Sequence, residues 1–253
     1  MSALTISSLI FSILCLSALG TMIFHRKMYA SYYNDDTAAV VRLVANLFVV
    51  MTSLVFGLMI NSSKNTYENI DNSVHAFVTD IIVLDRNLRN YGPHADDARL
   101  KLRKYVEQAI AHPTRGTDDL QKTPDNTGQL LDVLGKSLAK IDPADRNQAS
   151  MLSDIRQQYY HIVEQRWALI EKSEGTIPMP IIVMLGAWLT LIFASYGYRS
   201  PTNAVTISMV VTAAFLIAAS IYVVLDMSIP FSGPVQISDV PLQRALTEIN
   251  LES

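Results

Sequence analysis

Arg42 is the single charged side chain within four long apolar runs of this 253-residue chain. Charged groups inside apolar helices are rare because burying them is costly, so each one is a candidate for function. At helical spacing the same face carries Asn46, then Val49 or Val50, Ser53 and Gly57. Such a stripe suits a pore: a guanidinium at the mouth favours anions, an amide lies below it, and a valine constriction gates by dewetting. The same residues admit a second reading. Arg42 lies five residues into its run, so it can snorkel to the interface while Asn46 hydrogen-bonds a neighbouring helix. Beyond the run, Asn61, Asn65, Asn69 and Asn72 follow at intervals of four, four and three, and Thr79 extends that face. In an oligomer this amide ladder surrounds a water-filled vestibule; in a monomer it is a solvated face. Ser53 with Gly57, and Ala214 with Ala218, permit close helix contact.

No other cluster carries comparable chemistry. The chain has no G-x-S-x-G, G-x-G-x-x-G, P-loop or H-E-x-x-H motif, and its five histidines are scattered, so no enzyme activity, catalytic residue or cofactor is expected. Asp80 and Asp85 are five apart on a helix and point in different directions, whereas Asp85, Arg86 and Arg89 can form local ion pairs. His94 with Asp96 and Asp97 could ligate a metal weakly. A helix start with acids in its first turn explains the same residues, and no metal is expected. Arg99, Lys101, Arg103 and Lys104 alternate with core leucines and read as a solvated helix face. One cysteine excludes a disulfide framework and any Cys-based zinc or iron-sulfur site. A net charge of -3 excludes a strongly basic nucleic-acid binder.

The elements that must position these residues follow from hydropathy. Half of the residues are hydrophobic, and they concentrate in runs long enough to cross a hydrocarbon core of about 30 Å. The expected fold is all-α and integral to the lipid bilayer, with transmembrane spans over 3–24, 38–60, 178–198 and 205–225. The first run lacks a basic leader and is closed by His25-Arg26-Lys27, so it reads as a retained anchor rather than a cleaved signal. Asn34-Asp35-Asp36-Thr37 offers N-caps for the second. Pro178 and Pro180 fall in the first turn of the third, and 199–203 forms a tight turn before the fourth. Two hairpins, 1–60 and 178–225, therefore flank a hydrophilic block over 61–177. That block holds fifteen of the twenty Lys and Arg and seventeen of the twenty-three acids.

Within the block, Val74, Phe77, Val78, Ile81, Leu84, Leu88 and Tyr91 form one helical stripe, ended by Gly92-Pro93. Leu100, Tyr105, Val106 and Ile110 form a looser one, ended by Pro113. A loop over 114–126 and a short helix over 127–141 follow. Asp142-Pro143 supplies an N-cap and an N1 proline for a long helix carrying Leu152, Ile155, Tyr159, Ile162, Val163, Trp167 and Ile170. No Gly or Pro separates the second span from the first block helix, so the two are expected to form one rod of about fifty residues, a stalk continuing the bundle. The short turns carry Arg26, Lys27, the membrane-edge Arg42 and Arg199, which places them in the cytoplasm. Both termini and the helical block then lie outside, in a bacterial inner membrane.

The segment 226–253 supplies a resemblance. Leu225-Asp226-Met227-Ser228-Ile229-Pro230-Phe231-Ser232-Gly233-Pro234, then Ile237-Ser238 and Pro241-Leu242-Gln243-Arg244-Ala245-Leu246, resembles the C-terminus of the bestrophin-like family of bacterial membrane proteins. The order of spans, basic turns and helical block, and the Arg- and Leu-rich segment from Arg99 to Val106, are similar too. The resemblance implies the four-span fold and membrane location and, by analogy with the pentameric bestrophin anion channels, anion conduction; together with the stripe on the second span, the expectation is a homo-oligomeric channel-like protein with a pore lined by that span. Bestrophins carry their helical region in the cytosol, whereas the charge bias here puts it outside, and no calcium clasp or neck can be matched residue by residue. Only Pro230, Phe231 and Gly233 carry over, as a structural turn returning the chain to the membrane surface. The alternative expectation is a non-conducting membrane protein whose helical block binds a partner as sensor or scaffold.

Overall fold

Eight α-helices and one 3-10 turn, with no strand among the described residues, make up the computed structural model, which describes residues 2–27, 35–111, 126–172, 177–198, 200–229, 231 and 233–251. The helices are α1 (Ala3–Lys27), α2 (Asp35–Tyr91), α3 (Asp96–Ala111), α4 (Asn126–Ala139), α5 (Arg146–Lys172), α6 (Met179–Gly197), α7 (Ala204–Met227) and α8 (Val240–Leu251). Asn34, Pro113, residues 114–125 of the expected loop, Arg199, Pro230 and Ser232 lie outside the described residues. The chain divides into two units: Met1–Thr66 with Thr176–Ser228, and Tyr67–Gly175 with Ile229–Ser253. As the missing Gly and Pro breakers predict, the second apolar run continues without interruption into the first block helix, giving the 57-residue α2.

The first unit is built on four helices long and apolar enough to cross a membrane: α1, the N-terminal part of α2, α6 and α7. Its core joins Ile10 and Leu14 of α1, Leu185, Leu189 and Phe193 of α6, and Ala214, Ile221 and Val224 of α7. Small residues let the backbones approach. A Cβ on Gly197 would collide with the Thr21 hydroxyl and the Ala18 carbonyl, and the Ser17 hydroxyl donates to the Thr190 carbonyl at 2.9 Å across the α1–α6 contact. Asn203 caps α7, its side-chain oxygen accepting from the Thr206 N–H at 2.8 Å. Only 11% of the most apolar stretch of α2 is buried, against 22 to 28% in the other three.

The second unit has a larger core, and the stripe from Val74 to Tyr91 lies in it throughout. Gly92, at φ 96°, ends α2, and Pro93–Ala95 turns the chain into α3. Asp96 and Asp97 then occupy the first turn of α3, where acids complement the helix dipole. Leu102, not Leu100, is the core leucine of α3: the buried set is Ala98, Leu102, Tyr105 and Val106, and Leu100 falls off that phase and is exposed. Helix α5 begins at Arg146 rather than after Asp142-Pro143. Its cap is Asp145, whose carboxylate accepts from the Gln148 N–H at 2.7 Å while the Gln148 side chain accepts from the Ala144 N–H at 3.0 Å. Leu152, Ile155, Tyr159, Ile162 and Ile170 are buried as the pattern predicts. Trp167 is exposed, with the Arg166 guanidinium 5.4 Å from its ring centroid.

Helix α8 belongs to this second core. Leu242, Ala245 and Ile249 are buried together with Leu88 and Leu102, so the amphipathic segment packs its apolar side on helices of the block.

Candidate functional site

Helix α2 has one covered side and one open side. In its first-unit part the buried positions are Ala45, Thr52 and Met59, seven residues apart, and Ser63, four further on. Arg42, Asn46, Val50, Ser53 and Gly57 are all exposed, and Val49 is half-buried at the edge of the covered side. The stripe therefore lies on one open face, with Val50 rather than Val49 projecting from it. The Ser53 hydroxyl donates back to the Val49 carbonyl at 2.8 Å, which leaves its oxygen to the face as an acceptor only. Asn61 and Asn65 are exposed in the first unit, as are Asn69, Asn72 and Thr79 in the second, where Ile70, Val74 and Phe77 form the covered side.

Arg42 has a setting the periodicity could not reveal. A cavity of about 510 Å³ between α2 and α6 is lined by Val41, Arg42, Ala45, Asn46, Ser195, Tyr196 and Tyr198. A second cavity, about 410 Å³, shares Val41, Ala45, Ser195 and Tyr198 with the first and is lined also by Val40, Val44, Phe48 and Leu191. The tyrosines at the end of α6 are the sequence signal that was available: Tyr concentrates at membrane interfaces, where its ring is buried and its hydroxyl wetted. Nothing in the spacing paired them with a residue some 150 positions earlier.

The charged residues of the second unit are paired locally and across helices. Arg99 is not part of a solvated face: its guanidinium is hydrogen-bonded to the buried Asp85 carboxylate. Lys101 pairs with Asp97, and Arg103 with Glu107 at 3.0 Å, on the exposed side of α3. The Gln165 amide donates to Asp80 at 2.7 Å and lies 2.9 Å from His161, tying α5 to α2. Among the described residues no three His, Cys, Asp or Glu side chains are placed to hold a metal ion. In the C-terminal turn Gly233 has φ 95°, and Phe231 packs half-buried against the second core.

No curated protein matches this chain. Solved structures do, over nearly its whole length. One crystal structure of a single-substitution variant of a bacterial bestrophin homologue from Klebsiella pneumoniae aligns with TM-score 0.67 at 12% identity, covering 98% of this chain and 97% of that one. A second variant gives TM-score 0.63 at 12% identity, with 96% and 97% covered. A variant of a protein described only as a membrane protein gives TM-score 0.62 at 14% identity, with 95% and 96% covered. At these identities the likeness is one of fold. The sequence itself matches the model of the Bestrophin-like domain over residues 12–242. With four helices apolar and long enough to cross a bilayer and that match over most of its length, the chain is an integral membrane protein of the Bestrophin-like family.

Proposed function

We propose that the protein is a homo-oligomeric anion channel whose pore is lined by the open face of α2. The observation that carries this reading is the composition of that face. Arg42, Asn46, Ser53 and Gly57 are exposed on the least covered of the four spans. A guanidinium and an amide facing hydrocarbon are costly, and copies of α2 arranged around a water-filled axis remove that cost. No acidic residue lies on the stripe, so the fixed charge at its mouth is positive and selects anions. Val50 forms the dry constriction, and the amides of Asn61, Asn65, Asn69 and Asn72 line the vestibule beyond it. The basic short turns are cytoplasmic, and both termini and the helical block lie outside the cytoplasmic membrane. The test is chloride efflux from liposomes containing the purified protein, with its oligomeric state measured in detergent. A ring of identical subunits with efflux above that of empty liposomes is expected. A monomer, or no efflux across a range of pH, calcium and voltage, transfers the reading to a non-conducting protein whose helical block binds a partner.

A further inference from the structure

We infer that Arg86 is a further determinant of conduction, forming with its copies a positive collar in the vestibule that concentrates anions there. The inference rests on the channel reading above and extends it along α2. Asn72, Thr79 and Arg86 are exposed and stand seven residues apart, so each is within about 20° of the one before it on the open face of the helix. Arg86 lies about 21 Å along the axis from Asn72, in the last turn but one of α2, at the end remote from the span. The buried residues Val74, Val78, Ile81, Leu84 and Leu88 point the opposite way.

Spacing alone does not disclose the sign of the charge left on this face. From Asn72 to Tyr91 the acids are Asp80 and Asp85, and both turn to neighbouring helices. Asp85 is buried against the Arg99 guanidinium of α3 at 2.8 Å. Asp80 accepts from the Gln165 amide of α5 at 2.7 Å, with the His161 ring 3.6 Å away. Asp71, one position before Asn72, lies 3.6 Å from the His75 ring. Glu68 is exposed, but it precedes Arg86 by about 27 Å along the axis. Arg89 is half-buried, turned from the open face towards the covered one. Arg86 is exposed, and among the described residues its side chain makes no hydrogen bond or ion pair. The far part of the face is therefore left positive. One such guanidinium per copy around a water-filled axis makes a ring of fixed charge, which focuses the field and raises the local concentration of counter-ions. The ring acts through its field and not through contact with the ion, so it governs the supply of anions to the constriction.

Salt separates a field from a contact, because the screening length is about 30 Å at 0.01 M and about 3 Å at 1 M. The full chain in phosphatidylcholine bilayers is recorded in symmetrical potassium chloride at both concentrations. Arg86→Gln is expected to lower the unitary chloride conductance about twofold at 0.01 M and to leave it unchanged at 1 M. Arg86→Glu lowers it further at 0.01 M, and Arg86→Lys is parental at both concentrations, since the collar needs charge and no particular geometry. Unfolding temperatures in detergent match the parent's, because the side chain has no partner to lose. Parental conductance of Arg86→Gln and Arg86→Glu at 0.01 M, in a protein that conducts, overturns the collar and leaves the channel reading standing. A loss that persists at 1 M, or that Arg86→Lys shares, overturns it too, since it marks a structural role. A parent protein that carries no chloride current overturns both readings.

Discussion

The Arg99 guanidinium grips the Asp85 carboxylate with two hydrogen bonds, Nε to Oδ1 at 2.8 Å and Nη2 to Oδ2 at 3.3 Å, and Nη2 also donates to the Ile249 carbonyl at 3.3 Å. Three segments, α2, α3 and the end of α8, thus meet at one cation. The side chains are 6% and 17% exposed, so neither charge is well solvated. Arg99→Leu strands a buried carboxylate and is expected to destabilise the protein by about 3–5 kcal/mol, read as a lowered unfolding temperature in detergent. Replacing Asp85 and Arg99 together with Leu should recover most of that loss, because the desolvation cost goes with the pair. Arg99→Lys should recover little, since an ammonium cannot present the two-pronged geometry.

Tyr159 fixes how closely α4 and α5 approach. Its hydroxyl donates to the Leu131 carbonyl at 3.1 Å, and its ring occupies the space where a Cβ on Gly135 would stand. Gly135→Ala should therefore cost about 1–3 kcal/mol through overpacking. Burial, and then the nearby Asp132 carboxylate and Tyr160, hold the Tyr159 phenol above its ordinary value. A raised folded value means that the neutral phenol stabilises the fold below about pH 10, the unfolded value, and that this contribution is lost as pH rises through the folded value. Tyr159→Phe should remove that part of the alkaline decline, measured as unfolding temperature against pH. An identical alkaline slope in the variant would rule the assignment out.

What the sequence disclosed and what it hid divide along one physical line. Periodicity states which face of a helix is covered, and each of the seven apolar residues of the stripe from Val74 to Tyr91 obeys it. Breaker residues state where a helix ends, and the continuous α2 follows from their absence. Neither states what covers a face. Periodicity therefore sends Arg99 to solvent and leaves Asp85 to its helical neighbours, whereas the two pair across fourteen residues. Likewise Arg42 was visible as an anomaly in an apolar run, while Ser195, Tyr196 and Tyr198 beside it were not. The start of α5 failed for a local reason: Asp142-Pro143 and Asp145 both offer capping chemistry, and only Asp145 has Gln148 three residues on to complete the exchange of hydrogen bonds.

The turn before α8 combines a backbone constraint with a packing one. Gly233 at φ 95° occupies a region that a Cβ disfavours by about 1 kcal/mol, and Phe231 contributes about twice that by packing on the second core. Gly233→Ala with Phe231→Ala is expected to loosen α8 first. Amide exchange over 242–249 should accelerate more than exchange over 74–91. Unchanged protection of α8 would mean that the turn acts as something other than a clamp.

Orientation is open to direct labelling. Glu164 on α5 has a side chain 82% exposed, and Cys15 is the chain's one native cysteine. If the basic turns lie in the cytoplasm, Glu164→Cys in a Cys15→Ala background reacts with a membrane-impermeant maleimide in intact spheroplasts. Labelling only after lysis would invert the topology and place the helical block in the cytosol.

Arg42 and Val50 separate conduction from mere anchorage. If their face lines the ion path, Arg42→Glu exchanges a fixed positive charge for a negative one in a poorly screened mouth, and the chloride-over-cation preference falls or reverses in bilayer recordings. Val50→Ala widens the dry constriction and raises basal conductance severalfold, with selectivity unchanged because no charge moves. A snorkelling Arg42 gives a different pattern. Arg42→Lys is silent, and Arg42→Glu lowers correct insertion by weakening the positive side of the charge bias, while properly inserted protein conducts as before. Recordings in zwitterionic phosphatidylcholine alone keep net lipid charge out of the comparison, since anionic headgroups near Arg42 would mask its substitution. A Val50→Ala protein with parental conductance, together with an Arg42→Glu protein of parental selectivity, would remove α2 from the pore.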